Sequence, residues 1–367
     1  MSMRSFAVPT SVMSGLGSLE RLPNVLEKFD IQAAVIVVDS GLVGHGIVDF
    51  VLSHAPNLKP LTTLSFSTNP PASEVDEASE EARRLGAKLV IGIGGGSALG
   101  AAKAIAIRLT NDGSIFDYEG SNKVLRPPAP CIAIPTTAGS GSEVSNALVL
   151  HVEDRSTELV VRGQGCEPRV AFLDGRVLRL LPEAPMTYAA LDALSHGLES
   201  LWSQNRSFFT DCLASGAIKR IVSLLPVALE GIASGANALG NNDEVLQGLL
   251  EASCAANMAC GNSGLGLVHA LSSSPEIPLP HGLQNGILLP HVAEFNAQVS
   301  PTDVGHLVGQ IHELYERISF DPTFAQPVQI EKFIRASQNH PFRENNLRAS
   351  TDDDLAQILV AAGAVAS

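Results

Sequence analysis

Aromatic residues are scarce in this sequence: one tryptophan and three tyrosines in 367 positions. Aliphatic side chains must therefore build most of any core. Basic residues are also few, with 24 Lys and Arg against 38 Asp and Glu and a net charge of −14. No long Lys/Arg run interrupts that acidity, which argues against nucleic acid or an anionic membrane surface as a partner. The cysteines are few and odd in number (Cys131, Cys166, Cys212, Cys254 and Cys260), and none stand in a CxxC spacing. That excludes a disulfide frame or a thiolate zinc knuckle and fits reduced thiols in a cytoplasm. No apolar run is expected to reach the roughly 18 to 20 residues that cross a bilayer. The opening stretch "MSMRSFAVPTSVMSG" lacks the apolar core of a signal peptide. What is present, 45% hydrophobic and 17% charged residues, is the composition of a globular chain long enough for about two domains.

The punctuation divides the chain in two. Short β-branched runs, "AAVIVVD" (33–39), "AKLVIGI" (87–93) and "PCIAIP" (130–135), read as buried parallel strands separated by helical patterns such as Glu74 to Leu85. That alternation predicts an α/β layer with ligands at the strand C-terminal ends. Beyond about Leu181 the strand signal stops. Helical patterns cover 186–202, 208–234, 244–272, 284–297, 302–318 and 351–364. The boundary falls near Pro182 and Pro185, giving an α/β nucleotide-binding domain over 1–180 and an all-helical domain over 181–367. Segment 321–350 is polar and carries no clear pattern.

Within the first half, "LVIGIGGGSALGAAKAIAI" runs strand, glycine loop, helix. Gly94, Gly95 and Gly96 leave room for a phosphate, and Ser97 is placed to cap the helix. The stretch does not match G-x-G-x-x-G, and a tight structural turn explains the glycines as well. A second hydroxyl- and glycine-rich loop, "IPTTAGSGSEVSN" (134–146), follows the next strand, and the two together favour a phosphate cradle. Asp39 ends "VIVVD", where it would accept hydrogen bonds from a ribose 2′-OH and repel a 2′-phosphate; a turn-capping Asp is the plainer reading.

In the second half, "YAALDALSHGLES" (188–200) sets Asp192 and His196 four residues apart, on one face of an apolar helix. Such a pair is either a buried ion pair or half of a metal site. "LGLVHALSSSPEIPLPHGLQNGILLPH" adds His269, His281 and His291. A lone histidine in apolar sequence is usually a core residue. One carboxylate with three neutral imidazoles instead suits Fe²⁺ or Zn²⁺, able to polarise an alcohol or carbonyl oxygen.

These motifs together resemble the iron-containing (group III) alcohol dehydrogenase family over nearly the whole chain. "GIGGGSALGAAKAIA" is similar to its GGGSxxDxAK loop, and "IPTTAGSGSEVSN" to its PTTAGTGSEVT segment. "LPEAPMTYAALDALSHGLES" is similar to LPxxLTAxTGxDALxHAIE, and "GLGLVHAL" and "LPHGLQNGILLPHVAEFN" to its later histidine motifs. The resemblance implies a dehydroquinate synthase-like architecture: an N-terminal α/β nucleotide-binding domain, an all-α C-terminal domain and a metal between them. It implies Asp192, His196, His269 and His281 as metal ligands and catalytic residues. Glu199 would orient a ligand imidazole, and His291 falls outside the ligand pattern. Asp39, Gly95, Gly96, Ser97, Thr136, Thr137 and Ser140 would bind the cofactor, with NAD(H) favoured over NADP(H). The chain departs from the family at four places. Gly100 stands where the loop usually has Asp, Glu158 near a cofactor-contacting Lys, and Ala189-Ala190 at Thr-Gly. Ser273 stands where a second histidine often follows His269, so a serine-based proton relay replaces it, or His291 or His151 moves into the place. The implied protein is a cytoplasmic homodimer, a metal-dependent NAD(P)-linked alcohol dehydrogenase or aldehyde reductase acting on a small molecule. The rival readings are an oxoacid reductase of the maleylacetate reductase type and a nucleotide-binding protein that has lost turnover.

Overall fold

The computed structural model describes residues 4–153, 155 and 157–365. Nine strands occur among them: β1 (Ser11–Ser14), β2 (Ala33–Asp39), β3 (Lys59–Phe66), β4 (Val90–Gly94), β5 (Gly120–Ser121), β6 (Cys131–Pro135), β7 (Ala147–Leu150), β8 (Leu159–Arg162) and β9 (Val170–Leu173). Six form one sheet in the order β1-β9-β6-β4-β2-β3, and every pairing in it is parallel. Strands β5, β8 and β7 form a second, smaller sheet. The central strands are apolar because they are covered on both faces; Val35 to Val38 in β2 are all inaccessible to solvent. Helices α1 (Leu22–Phe29), α2 (Ile47–Ser53), α3 (Ala72–Arg84) and α4 (Gly96–Thr110) complete this unit, which spans Val8–Leu181. α4 is alanine-rich and almost wholly buried, so its backbone can seat directly on β4.

The remaining helices are α5 (Glu183–Leu201), α6 (Phe208–Ala233), α7 (Asp243–Ser263), α8 (Leu267–Leu271), α9 (His281–Ala297), α10 (Pro301–Arg317), α11 (Ile330–Ser337), α12 (Pro341–Asn345) and α13 (Asp352–Ala361). They form a second unit, beginning at Pro182. The sequence pattern assigns all of 1–180 to the α/β half, but Arg4–Ala7 belong with the helices. There Ala7 N–H donates to Asn262 Oδ1 at 2.8 Å and Arg4 Nη2 to the Gln204 carbonyl at 2.7 Å.

Three other expectations change. The single helical pattern over 244–272 is two helices, α7 and α8, broken at Gly264, whose φ of +79° suits glycine alone. The unassigned stretch 321–350 contains α11 and α12. Finally, α6 is long and apolar enough, by length and composition, to cross a membrane, where the sequence reading found no such run. It packs between α5 and α7 through Ala214, Ala217, Ile218, Ile221, Leu225 and Ala228, all buried. The helical spacing of those residues is that of a core helix.

Candidate active site

α5 sets Asp192 and His196 one turn apart, both buried, with Asp192 Oδ1 3.7 Å from His196 Nε2. α8 brings His269 Nε2 to 3.5 Å from the same oxygen, and the first residue of α9 brings His281 Nε2 to 3.9 Å. Asp192, His269 and His281 each offer a donor atom, and these atoms lie within 4.8 Å of one another. His196 joins through Asp192 and by stacking on His269, with ring centroids 4.6 Å apart. Donors that share one cation at about 2.0–2.2 Å stand roughly 3–4 Å apart. The spacing, and the mix of one carboxylate with imidazoles, fits a divalent transition ion. The His281 side chain is 52% exposed, so the group opens to solvent on that side.

Two local devices create this convergence. The first is the crossing of α5 and α9. A Cβ at Gly282 would come within 2.3 Å of the Tyr188 carbonyl oxygen, and one at Gly286 within 2.7 Å of Leu191 Cδ1. Any larger residue would push His281 away from Asp192. The second is the clamp on α8. Asn345 Nδ2 donates to the Ser263 and Leu265 carbonyls at 3.1 and 2.7 Å, and Asn346 Oδ1 accepts from Leu267 N–H at 3.4 Å. Glu199 Oε1 accepts from the N–H groups of Val268 and His269 at 2.6 and 3.3 Å. Its Oε2 lies 2.5 Å from His269 Nδ1. Glu199 therefore orients the imidazole on α8, not that of His196 on its own helix, whose Nδ1 is buried without a hydrogen-bond partner.

The electrostatics follow from this packing. Burial acts to raise the pKa of Asp192, but His196, the hydrogen bond to His269 and His281 outweigh it and hold the carboxyl well below its usual range. Burial lowers His196 to about 4 against the opposing charge of Asp192, so its ring is neutral at neutral pH. His269 is the exception. Burial lowers its pKa, but the charge of Glu199 and the bonds to Asp192 and Glu199 raise it to about 9. A cation at this centre would displace that proton.

In the α/β unit, Asp39 ends β2 and Gly94 ends β4. These two strands flank the point where the strand order reverses, where open α/β sheets bind their ligands. A Cβ on Gly94 would lie 3.1 Å from Asp39 Cβ. The loop after β6 folds against the glycine loop: Gly95 approaches Thr137 Oγ1, Gly96 approaches Ser140, and Thr136 N–H donates to the Gly94 carbonyl at 3.1 Å. Lys103, buried in α4, holds this loop by donating to the carbonyls of Ser142, Ser145 and Ala147 at 3.0, 3.2 and 2.6 Å. Burial lowers its pKa to about 8. Ser97 does not cap α4, contrary to expectation. Gly95 is the N-cap, no side chain caps it, and Ser97 Oγ accepts instead from Asn69 N–H at 3.0 Å. The first amides of α4 are thus left to an anion. Asp39 Oδ1 accepts from Gly41 N–H at 2.8 Å, a turn cap that leaves its second oxygen for another donor. A Cβ at Gly100 would lie 3.7 Å from the Val149 carbonyl oxygen, an ordinary van der Waals contact, so crowding at Cβ does not account for the glycine.

The expected relay residue, Ser273, donates its hydroxyl to the Ala270 carbonyl at 2.8 Å. His291 Nε2 is 3.0 Å from the Pro322 carbonyl, and His151 pairs with Glu158 at 3.4 Å. The site also holds residues that sequence reasoning missed. Asn345 and Asn346 lie in the stretch that had no pattern. Asn285 lies one turn beyond His281, a spacing that could have flagged it. His340 has its pKa lowered by burial first and then by the charge of His269.

A parallel α/β nucleotide fold paired with helices that gather one carboxylate and three imidazoles is the plan of a dinucleotide-linked oxidoreductase. Models of known families agree: "Iron-containing alcohol dehydrogenase" matches residues 9–175, and "Fe-containing alcohol dehydrogenase family, C-terminal" matches 186–322. The chain belongs to the iron-containing alcohol dehydrogenase family, whose members bind NAD and a divalent metal, and it is an oxidoreductase acting on alcohols. It is 33% identical to the probable alcohol dehydrogenase EutG of Escherichia coli over 302 residues, 81% of this chain and 74% of that one. It is 30% identical to the NAD-dependent methanol dehydrogenase of Bacillus methanolicus over 318 residues, 85% of this chain and 81% of that one. Among solved structures, a 1,3-propanediol oxidoreductase superposes with a TM-score of 0.87 at 26% identity, covering 98% of this chain and 100% of the other. The sulfoacetaldehyde reductase of Bifidobacterium kashiwanohense, solved with NAD⁺, gives 0.86 at 28% identity, covering 98% and 99%.

Proposed function

We propose that this enzyme interconverts a small, uncharged primary alcohol and its aldehyde, using NAD(H) in preference to NADP(H) and one divalent cation. The observation that carries the reading is the single oxygen, Asp192 Oδ1, within 3.5–3.9 Å of the Nε2 atoms of His196, His269 and His281. These four residues would hold Fe²⁺ or Zn²⁺. When bound, such an ion supplies Lewis-acid polarisation of the substrate oxygen, and NAD⁺ supplies the hydride acceptor. The chain's own groups do the rest. Glu199 fixes the ring of His269. The exposed edge of His281 marks the solvent side from which substrate enters. The backbone of Gly95 and Gly96 and the hydroxyls of Ser97, Thr136, Thr137 and Ser140 hold the pyrophosphate. Asp39 accepts from the adenosine ribose and disfavours a 2′-phosphate. Oxidation of one alcohol yields one aldehyde, one NADH and one proton. With no histidine at position 273, that proton leaves through hydroxyl groups; Ser273 takes part by turning its hydroxyl away from the Ala270 carbonyl that it bonds here.

The α/β unit is the nucleotide-binding domain and the helical unit the metal- and substrate-binding domain. The five free cysteines suit a cytoplasmic enzyme, and we expect it to work as a homodimer. NADH oxidation across a panel of aldehydes and oxoacids tests the substrate class. Turnover of short aldehydes is expected. Exclusive turnover of oxoacids, or none at all with metal bound, would replace this reading with the oxoacid or the non-catalytic one.

A further inference from the structure

Asn285 is fully buried on α9, one turn after His281. Its side-chain Nδ2 is 2.7 Å from Asp192 Oδ1 and 3.1 Å from both His269 Nε2 and His281 Nε2. Its Oδ1 is buried with no hydrogen-bond partner. No other part of the fold anchors the amide. Its two N–H hydrogens serve at most two of these three atoms, and the imidazole Nε2 lone pairs are the ones a cation would need, so the bond compatible with a bound cation is the one to Asp192 Oδ1. Burying an amide with half its capacity unused costs stability. A leucine of similar volume would fill the same space without that cost, so packing alone does not account for the residue. The geometry points to Asn285 as a positioning residue of the metal centre, an inference that rests on the reading of Asp192, His196, His269 and His281 as ligands. A carboxylate oxygen has two lone pairs. One accepts the Asn285 N–H, which stops the carboxylate from turning about its own axis, and the other would remain for a cation. Gly286, in contact with Leu191, holds the amide at this depth by keeping α9 close to α5. Asn285 thus serves Asp192 as Glu199 serves His269: each of these two ligands has a partner that fixes its direction.

The test is Co²⁺ binding to the full chain, followed by chelator competition and by the visible absorption of the bound ion, which reports ligand geometry. Asn285→Leu and Asn285→Ala are compared with wild type and with Asp192→Ala, with circular dichroism to check the fold. Wild type should bind one Co²⁺ per chain. Both Asn285 variants should bind it about 10- to 100-fold more weakly, with an altered absorption band, while Asp192→Ala should not retain it. Wild-type affinity and an unchanged band in both Asn285 variants would overturn the inference and leave the ligand assignment standing. Full Co²⁺ retention by Asp192→Ala would overturn the ligand assignment, and the inference with it.

Discussion

Glu199 Oε2 and His269 Nδ1 lie 2.5 Å apart, both buried, and the other oxygen of the same carboxylate caps the start of the helix that carries His269. One acidic side chain thus sets the position, the ring orientation and the proton affinity of a candidate ligand. Glu199→Gln should weaken metal binding at alkaline pH by about 10- to 100-fold. The sign of its pH effect is opposite. His269 holds its proton up to about pH 9, so metal affinity in the wild type should tighten as pH rises toward 9. Without the Glu199 charge that rise should level off at a lower pH. Metal dissociation constants measured from pH 6 to 9.5 would reveal both effects. Identical curves for the two proteins would contradict them.

Asn346 connects the clamp to the core. It accepts from Leu267 N–H and exchanges hydrogen bonds with Asn296. Asn346→Ala strands buried polar groups, which typically costs about 1 to 3 kcal/mol. Urea unfolding should give a loss of that size, and metal affinity should fall with it because α8 loses a fixed start. A stability loss with unchanged metal affinity would mean that Glu199 and Asn345 hold α8 without it.

Asp39 should decide between the two nicotinamide cofactors. Asp39→Gly removes negative charge from the end of β2 and should raise the NADPH-to-NADH ratio of kcat/KM. A change worth about 1 to 3 kcal/mol corresponds to roughly 5- to 150-fold. The turn it caps through Gly41 can loosen as well, so use of NADH should also fall. An unchanged ratio would assign Asp39 to the turn alone.

Ser273 has no useful ionisation near neutral pH, so kcat should vary only shallowly with pH between 6 and 8. Ser273→Ala should lower kcat without adding a limb. Ser273→His should introduce a limb near the ordinary histidine pKa, about 6.5. A steep limb that survives Ser273→Ala and disappears on replacing His340 would assign the relay to that histidine.

Much of this structure is local and could be read from the sequence. β2 spans the same residues as the run "AAVIVVD", because a strand buried on both faces writes its limits in apolar residues. Asp192 and His196 declare themselves because both lie on one helix. What the sequence did not reveal is long-range. Asn345 and Asn346 act on residues about 80 positions earlier in the chain, and no periodic signal marks such a contact. The break between α7 and α8 hid inside an apolar pattern that continues across it, with Gly264 and Gly266 as its trace. Asn285 stood in plain view four residues after His281, but a buried amide in a helix has no signature apart from the partners it meets. Gly282 and Gly286, either side of it, were the available signal that two helices cross closely there.

The central claim is that one cation, held by Asp192, His196, His269 and His281, is required for turnover. The most direct test is to measure metal content and NADH-linked aldehyde reduction on the same purified sample, before chelation, after it, and after adding Fe²⁺ or Zn²⁺ back. The account predicts about one ion per chain, activity that falls with the ion and returns with it, and neither ion nor activity in His281→Ala. Full activity in a sample from which the metal has been removed would contradict it.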